Sequence, residues 1–128
     1  DRGGAGDRLY GGFGADTLTS GSGADRFFLT AIGESGVTAA TRDVITDFEV
    51  GVDVINLAKI NAVQGGGGNA AFSFIGEGAF TAAGQLRFAQ DAANDRTIVE
   101  GNVNADLAPD FQIELTGVHT LVAGDFVL

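Results

Sequence analysis

A nine-residue rhythm of glycine, aspartate and a large apolar residue constrains this chain more than any other feature. Between positions 3 and 28 an aspartate recurs every nine residues, and an apolar residue stands two positions after it; these residues are Asp7, Asp16 and Asp25 with Leu9, Leu18 and Phe27. A flexible glycine linker is the alternative. A linker has no reason to keep aspartate and an apolar side chain in register three times, so the stretch predicts a regular repeat structure.

Each repeat combines the chemistry of a metal-binding turn with a short strand. Glycine tolerates positive φ and close backbone approach, so a turn of about six residues can point several carbonyl oxygens inward. Aspartate adds an anionic oxygen, and calcium accepts six to eight oxygen ligands. The remaining residues form a strand whose central side chain points into the core. Two repeats complete one coil, so we expect turns about eighteen residues apart to stack on the same edge.

The repeats resemble those of RTX proteins, and later segments are similar to the C-terminal domain of the serralysin (peptidase M10) family of secreted metalloproteases. Those segments are residues 42–48 (RDVITDF), 51–57 (GVDVINL) and 111–117 (FQIELTG). The resemblance implies an all-β fold with two parts. Residues 1–28 would form a short right-handed parallel β-roll of calcium-binding nonapeptide repeats, and residues 29–128 an antiparallel, sandwich-like C-terminal cap.

The family's ligand pattern, carried onto this sequence, implies two calcium sites. The first would join two turns through carbonyl groups and two aspartates: Gly4, Gly6 and Asp7 opposite Ser20, Ser22 and Asp25. The turn before Asp7 is one residue shorter than the next, so it cannot have the standard geometry. The second site would start from Gly12, Gly14 and Asp16, and a later acid would complete it, with Asp43 as first candidate and Asp53 as second. A solvated carboxylate at a strand edge is the alternative for Asp43.

Oxygen-bearing side chains also alternate later in the chain, at Asn102, Asn104, Asp106 and Asp110. This spacing resembles the start of a calcium loop. An EF-hand is excluded, because Leu107 stands where that loop needs glycine and Ile113 where it needs glutamate. An Asx-rich turn before a strand is the alternative to a further ion.

The charge balance favours a cation as partner. Acidic residues outnumber basic ones 17 to 7, which gives a formal charge of −10. Nucleic acid and anionic membrane surfaces are disfavoured, because both attract basic patches. The sequence has no cysteine, so disulfides and thiolate metal sites are excluded. It also has no apolar run of about 18 residues that would span a membrane.

Beyond the repeats, apolar residues alternate as they do in half-buried strands. We expect strands in residues 44–48, 52–57, 72–74, 86–88, 97–100 and 111–115, with a hairpin connector at 91–96. His119 is the only histidine. A zinc protease needs the pattern His-Glu-x-x-His, so we expect His119 to be a solvated surface residue and this domain not to be catalytic.

The resemblance implies a calcium-binding domain that folds on extracellular calcium and serves the type I secretion and stability of a serralysin-like enzyme. Expected partners are calcium ions, the type I (ABC) secretion apparatus and an upstream catalytic domain of the parent chain. The expected location is outside a Gram-negative bacterium, reached without an N-terminal signal peptide.

The secretion signal would be the acidic residue and three apolar residues at the end, Asp125, Phe126, Val127 and Leu128. Packing of Phe126 and Leu128 on one strand face is the alternative. A rival function is a carbohydrate-binding module for alginate-type polysaccharides. It would need a basic stripe, whereas Arg2, Arg8 and Arg26 alternate with the aspartates.

Overall fold

The computed structural model describes residues 8–10, 15–19, 21, 23–29, 35–38, 41–60, 71–104 and 108–128. The strands in these residues are β1 (Arg8–Tyr10), β2 (Thr17–Leu18), β3 (Arg26–Phe28), β4 (Asp43–Ile45), β5 (Val54–Asn56), β6 (Ser73–Phe74), β7 (Gln85–Asp91), β8 (Arg96–Asn102), β9 (Phe111–Thr116) and β10 (Phe126–Val127). Short 3-10 turns cover Ala92–Asn94 and Ala123–Asp125. Across these described ranges, no helix has the length and apolar character needed to cross a membrane.

The strands form two sheets, and the all-β fold is confirmed. The first sheet has the order β1-β3-β5-β10 and is parallel throughout. The second has the order β2-β4-β9-β8-β7-β6. Its β2–β4, β4–β9 and β6–β7 pairs are parallel, whereas β7–β8 and β8–β9 are antiparallel. Consecutive strands β1 to β5 alternate between the two sheets, which is the path of a roll.

The nine-residue rhythm explains the inner face of the first sheet. Parallel registry aligns the central residue of each short strand, so Leu9, Phe27, Ile55 and Phe126 form one column. Phe27, Ile55 and Phe126 are buried, and Leu9 packs against the core at the end of the column. Because strand side chains alternate between faces, the flanking residues of each strand point outward. Tyr10 and Phe28 stack there, with 4.5 Å between ring centroids.

The antiparallel part of the second sheet encloses the largest buried side chains. Along β8, β9 and β7 as far as Phe88, every second residue is buried, including Val99 and Phe111. The β7–β8 hairpin turns through the predicted connector, with Asp95 in the left-handed region at φ 51°. Gly101 lies beneath the Phe111 ring, where any Cβ would overlap the ring atoms. A glycine is therefore required by packing at this position.

The chain after residue 42 differs from a simple hairpin. The predicted strands in residues 44–48 and 52–57 are present as β4 and β5, but β4 lies in the second sheet and β5 in the first. The turn at Glu49–Asp53, with Gly51 at φ +82°, carries the chain from one sheet to the other. Parallel pairing continues past residue 28 through β4, β5, β9 and β10. The division into units 1–28 and 29–128 stays a prediction.

Candidate metal-binding site

One edge of the roll brings together Asp16 and Asp43, which we call the Asp16 edge. Thr17 pairs with Val44, so the residues before these strands are neighbours on adjacent coils. The backbone N–H of Asp16 donates to Oδ1 of Asp43 at 2.8 Å. Asp43 is buried and its own N–H donates to the hydroxyl oxygen of Ser35 at 2.8 Å. The sequence had placed Asp43 as the first candidate to lie beside Asp16, and the structure brings the two residues together.

The opposite edge carries Asp25, Asp47 and Asp53, which we call the Asp25 edge. Arg26 pairs with Val54, so Asp53 stacks on Asp25 as Asp43 stacks on Asp16. The N–H of Asp25 donates to Oδ1 of Asp53 at 2.9 Å, and the N–H of Glu49 donates to Oδ2 of Asp53 at 2.9 Å. Asp25 is 0% exposed and Asp53 2% exposed. Acidic side chains at this edge are therefore removed from water.

Placing Asp53 as a second candidate partner for Asp16 was wrong. Strand β5 joins the sheet of β3, so the turn before β5 stacks on the turn of Asp25, while β4 supplies Asp43 to Asp16. Asp47 was missed altogether. Its Oδ2 accepts a hydrogen bond from the N–H of Gly21 at 2.6 Å. The signal in the sequence was its position just after β4, because an acidic residue there lies in the turn that leads to the next coil.

The electrostatics of the Asp25 edge disfavour the ionised form of Asp53. Burial raises the pKa of Asp53 above its ordinary value, and the nearby Asp25 and Asp47 charges raise it further. Hydrogen bonds from the N–H groups of Asp25 and Glu49 oppose this rise in the Asp53 pKa but do not cancel it. A positive charge at this edge would relieve the cost, because it favours the ionised form of each carboxylate.

The Asp16 edge passes a direct test of fit for a hard cation. Oδ2 of Asp16 is shielded from solvent and accepts no hydrogen bond from the described residues. A buried carboxylate oxygen without a donor costs free energy unless a cation or another donor compensates for it. The donor set is oxygen alone, which suits calcium and not a soft metal.

Side chains alone do not make a full coordination shell in the part of the chain that the structure describes. No group of three or more histidine, aspartate or glutamate side chains there is arranged to hold an ion. The implied ligand set also relies on six main-chain carbonyls, and all six lie outside the described residues, as does Asp7: Gly4, Gly6, Gly12, Gly14, Ser20 and Ser22. Their role as ligands stays a prediction, as does that of the aspartates.

The loop after β8 is held by hydrogen bonds among its own polar groups. Oδ2 of Asp110 accepts from the N–H of Val103 at 2.8 Å, and Oδ1 accepts from the side-chain amide of Asn104 at 3.2 Å. The N–H of Asn104 donates to Oδ1 of Asn102 at 3.2 Å. These are the contacts of an Asx-rich turn. An ion here stays a prediction, and Asp106 lies outside the described residues.

The C-terminal residues are part of the fold. Strand β10 pairs with β5, and the N–H of Leu57 donates to the carbonyl of Val127 at 2.8 Å. Phe126 is buried, with its ring centroid 5.3 Å from that of Phe74, and Leu128 packs against the core. The predicted packing of Phe126 and Leu128 is present. A secretion signal in Asp125 to Leu128 stays a prediction.

His119 is a half-buried surface residue whose ring also packs against the fold. Its ring contacts Phe48 edge-on, and its Nε2 lies 2.9 Å from the carbonyl oxygen of Thr116. An isolated histidine in sequence carried no sign of this packing.

Comparisons with known proteins agree with the fold. The family model described as peptidase M10 serralysin C terminal matches residues 6–128. No curated protein matches the chain. The solution structure of the AlgE6R2 subunit from the Azotobacter vinelandii mannuronan C5-epimerase superposes with a TM-score of 0.64 at 27% identity, covering 98% of this chain and 72% of that one. The AlgE6R3 subunit from the same organism's epimerase gives 0.57 at 22% identity, with 97% and 68% covered.

Proposed function

The chain belongs to the peptidase M10 serralysin C-terminal family, and from that premise we propose that it is a non-catalytic calcium-binding RTX domain. It folds on extracellular calcium, and it serves the type I secretion and the stability of a secreted serralysin-like enzyme. The observation that carries the proposal is the buried Oδ2 of Asp16, which lacks a hydrogen-bond donor among the described residues, at an edge where two coils stack their aspartates.

The aspartates on adjacent coils have complementary tasks in this proposal. Asp16 and Asp43 contribute oxygens to a calcium ion on one edge, and Asp25 and Asp53 to a separate ion on the opposite edge. Main-chain carbonyls complete each coordination shell, and the Asp47 carboxylate adds negative charge beside the second ion. Calcium, when bound, supplies the positive charge that these carboxylates lack. The same carboxylates accept N–H groups of the neighbouring turn, at 2.8 Å for Asp43 and 2.9 Å for Asp53. Asp43 and Asp53 therefore join their coils to the preceding ones, so that metal binding and coil stacking stabilise each other.

Calcium dependence follows from the charge of the chain. A glycine-rich chain with a formal charge of −10 loses much conformational entropy and gains electrostatic repulsion on folding. Inside the cell, where calcium is scarce, these costs keep it unfolded and fit for a type I transporter. Outside, calcium at about millimolar concentration occupies sites of the affinity usual for extracellular modules. The parent chain would contribute an upstream catalytic domain as a further partner.

A carbohydrate-binding module is the weaker candidate. Three of the described arginines are engaged in ion pairs on the second sheet: Arg42 with Glu114, Arg87 with Glu100, and Arg96 with Asp91 and Glu114. Arg8 and Arg26 remain exposed side by side on β1 and β3. Two adjacent arginines on so acidic a chain are a small fraction of the basic stripe that an anionic polymer would need.

Circular dichroism of the 128-residue chain tests the proposal. Calcium added to metal-free protein should produce the β-sheet spectrum cooperatively in the millimolar range. Magnesium is the matched control, and it should substitute poorly because it requires tight octahedral geometry and retains its waters. A complete β-sheet spectrum in excess chelator would contradict calcium-dependent folding.

A further inference from the structure

Asp125 occupies an unusual position for a residue so near a chain end. It is 1% exposed, and the described residues place its carboxylate in no ion pair. Two backbone groups stabilise the carboxylate instead: the N–H of Gly51 donates to Oδ1 at 3.0 Å, and the N–H of Val122 donates to Oδ2 at 2.9 Å. A buried carboxylate depends strongly on each of its donors, because the lost hydration has no other replacement.

One of those donors belongs to the Asp25 edge. Gly51 lies in the turn at Glu49–Asp53, which is closed by hydrogen bonds from the N–H groups of Val52 and Asp53 to the Glu49 carbonyl at 3.1 and 2.8 Å. The Asp53 carboxylate accepts from Glu49 inside that turn and from Asp25 on the coil before it. A single short turn therefore contacts both the candidate metal ligands and the carboxylate of Asp125.

The other side of Asp125 leads directly into the last strand. The N–H of Asp125 donates to the Val122 carbonyl at 3.0 Å, which closes the 3-10 turn before β10. From there Phe126 enters the core opposite Ile55, and Val127 accepts the N–H of Leu57. The contacts from the Asp25 edge to the C-terminal strand are thus continuous, although Gly51 and Asp125 are 74 residues apart in sequence.

We propose that Asp125 couples metal occupancy at the Asp25 edge to closure of the C-terminal strand β10, so that the chain end is accessible before calcium binds and buried afterwards. The inference rests on the proposed function and adds the residue that carries the coupling. An ordered Glu49–Asp53 turn presents the N–H of Gly51 to Asp125. When the turn is disordered, the buried carboxylate loses a donor and β10 opens.

Linkage makes this coupling reciprocal. If calcium favours closure of β10, closure of β10 must favour calcium binding by the same factor. The coupling between calcium binding and closure of β10 should be about the value of one hydrogen bond to a buried charged group. This corresponds to about a tenfold change in the equilibrium constant for closure of β10. The test must therefore measure both ends of the pathway, the strand and the metal.

Amide hydrogen exchange of the 128-residue chain in saturating calcium reports on the strand. The Leu57 amide, bonded to Val127, reports closure of β10, and the Val44 amide, bonded to Asp16, reports on the rest of the roll. In Asp125→Ala the Leu57 amide should exchange about tenfold faster or more, with Val44 little changed. In Asp125→Asn the amide oxygen can accept one of the two N–H groups, from Gly51 or from Val122, while the amide NH₂ faces the other. Its Leu57 exchange rate should therefore lie between those of the wild type and the alanine variant. It decides the question if the alanine variant does not fold.

Calcium titration of the same variants reports on the metal. Asp125→Ala should raise the calcium midpoint of folding by more than a control variant of equal stability loss. Gly101→Ala is the control, because its new methyl group should destabilise the second sheet by overlap with the Phe111 ring and leaves the Asp25 edge unchanged. The proposal is overturned if the Leu57 amide stays as protected in the Asp125 variants as in the wild type. It is also overturned if the Leu57 amide exchanges fast but the calcium midpoint of folding rises no more than in the control. Wild-type protein that folds fully in chelator would refute the proposed function instead.

Discussion

Replacement of Asp43 tests the Asp16 edge most directly. The carboxylate accepts the Asp16 N–H at 2.8 Å and is 4% exposed. Asp43→Ala removes a hydrogen bond to a charged group, which is worth about 1.5–3 kcal/mol. At about 1.4 kcal/mol per factor of ten, the folding equilibrium falls by roughly 10- to 100-fold. If one ion controls folding, the calcium midpoint rises by that factor; if two ions bind together, it rises by the square root, about 3- to 10-fold.

Asp43→Asn separates the two tasks of this side chain. The amide oxygen of asparagine can still accept the Asp16 N–H, whereas the negative charge is gone. If Asp43 is a calcium ligand, the asparagine variant should show a raised midpoint that lies below that of the alanine variant, because calcium binds anionic oxygens more strongly than amide oxygens.

Far-UV circular dichroism across buffered calcium concentrations measures these midpoints. The control is Asp91→Asn, which removes a carboxylate charge from the β7–β8 hairpin. Its midpoint should stay within about twofold of the wild-type value, since a surface ion pair contributes little. A wild-type midpoint for Asp43→Asn together with a raised one for Asp43→Ala would refute the role of Asp43 as a ligand. It would leave only the hydrogen bond to Asp16.

Three further predictions address the cap, the hairpin and the chain end. Gly101→Ala should lower the melting temperature in saturating calcium by about 3–15 °C, because the new methyl group overlaps the Phe111 ring; an unchanged melting temperature would refute the packing argument. Hydrogen bonds from Asn94 and then from Arg96 lower the pKa of Asp91 below 3.8. The ionised Asp91 therefore stabilises the fold fully above pH 3.8, and this stabilisation is lost as the pH falls through the lower pKa of the folded state. In Asp91→Asn the free energy of unfolding, measured by chemical denaturation, should fall less steeply on acidification. A short Gly/Ser tail after Leu128 should leave calcium-dependent folding intact but keep the protein inside the cell, because it hides the free C-terminus. Normal export of the tailed protein would show that residues 125–128 serve only in packing.

The sequence predicted the local structure of the two aspartate edges better than it predicted which turns stack on each other. Asp16 and Asp25 were identifiable because glycine turns, an aspartate and a short strand follow one another within nine residues. The partner of Asp16 was also identified, as Asp43. Asp53 was assigned to the wrong edge, because that assignment depends on whether β5 continues the sheet of β3 or that of β4. No local pattern within residues 51–57 distinguishes these sheets.

Residues with a single strong partner far away in sequence were not predictable. Ser35 accepts the Asp43 N–H, and it also donates to the Gln112 carbonyl, a contact that requires β9 to lie beside β4. His119 packs on Phe48 only because the segment after β9 returns across the roll. In each case the side chain has an ordinary sequence context, and its environment comes from another part of the chain.

The amino-acid sequence by itself determined the repeat, the direction of its strands and the alternation of β7, β8 and β9. Glycine turns and the two-residue period of side chains act within a few residues, so they need no knowledge of the rest of the fold. Only the tertiary structure decided that β9 enters the roll parallel to β4, that β10 closes the sheet of β5, and that Asp125 reaches Gly51. Strand pairing across such separations depends on burying a shared apolar column and satisfying backbone groups between coils, and both are properties of the assembled core.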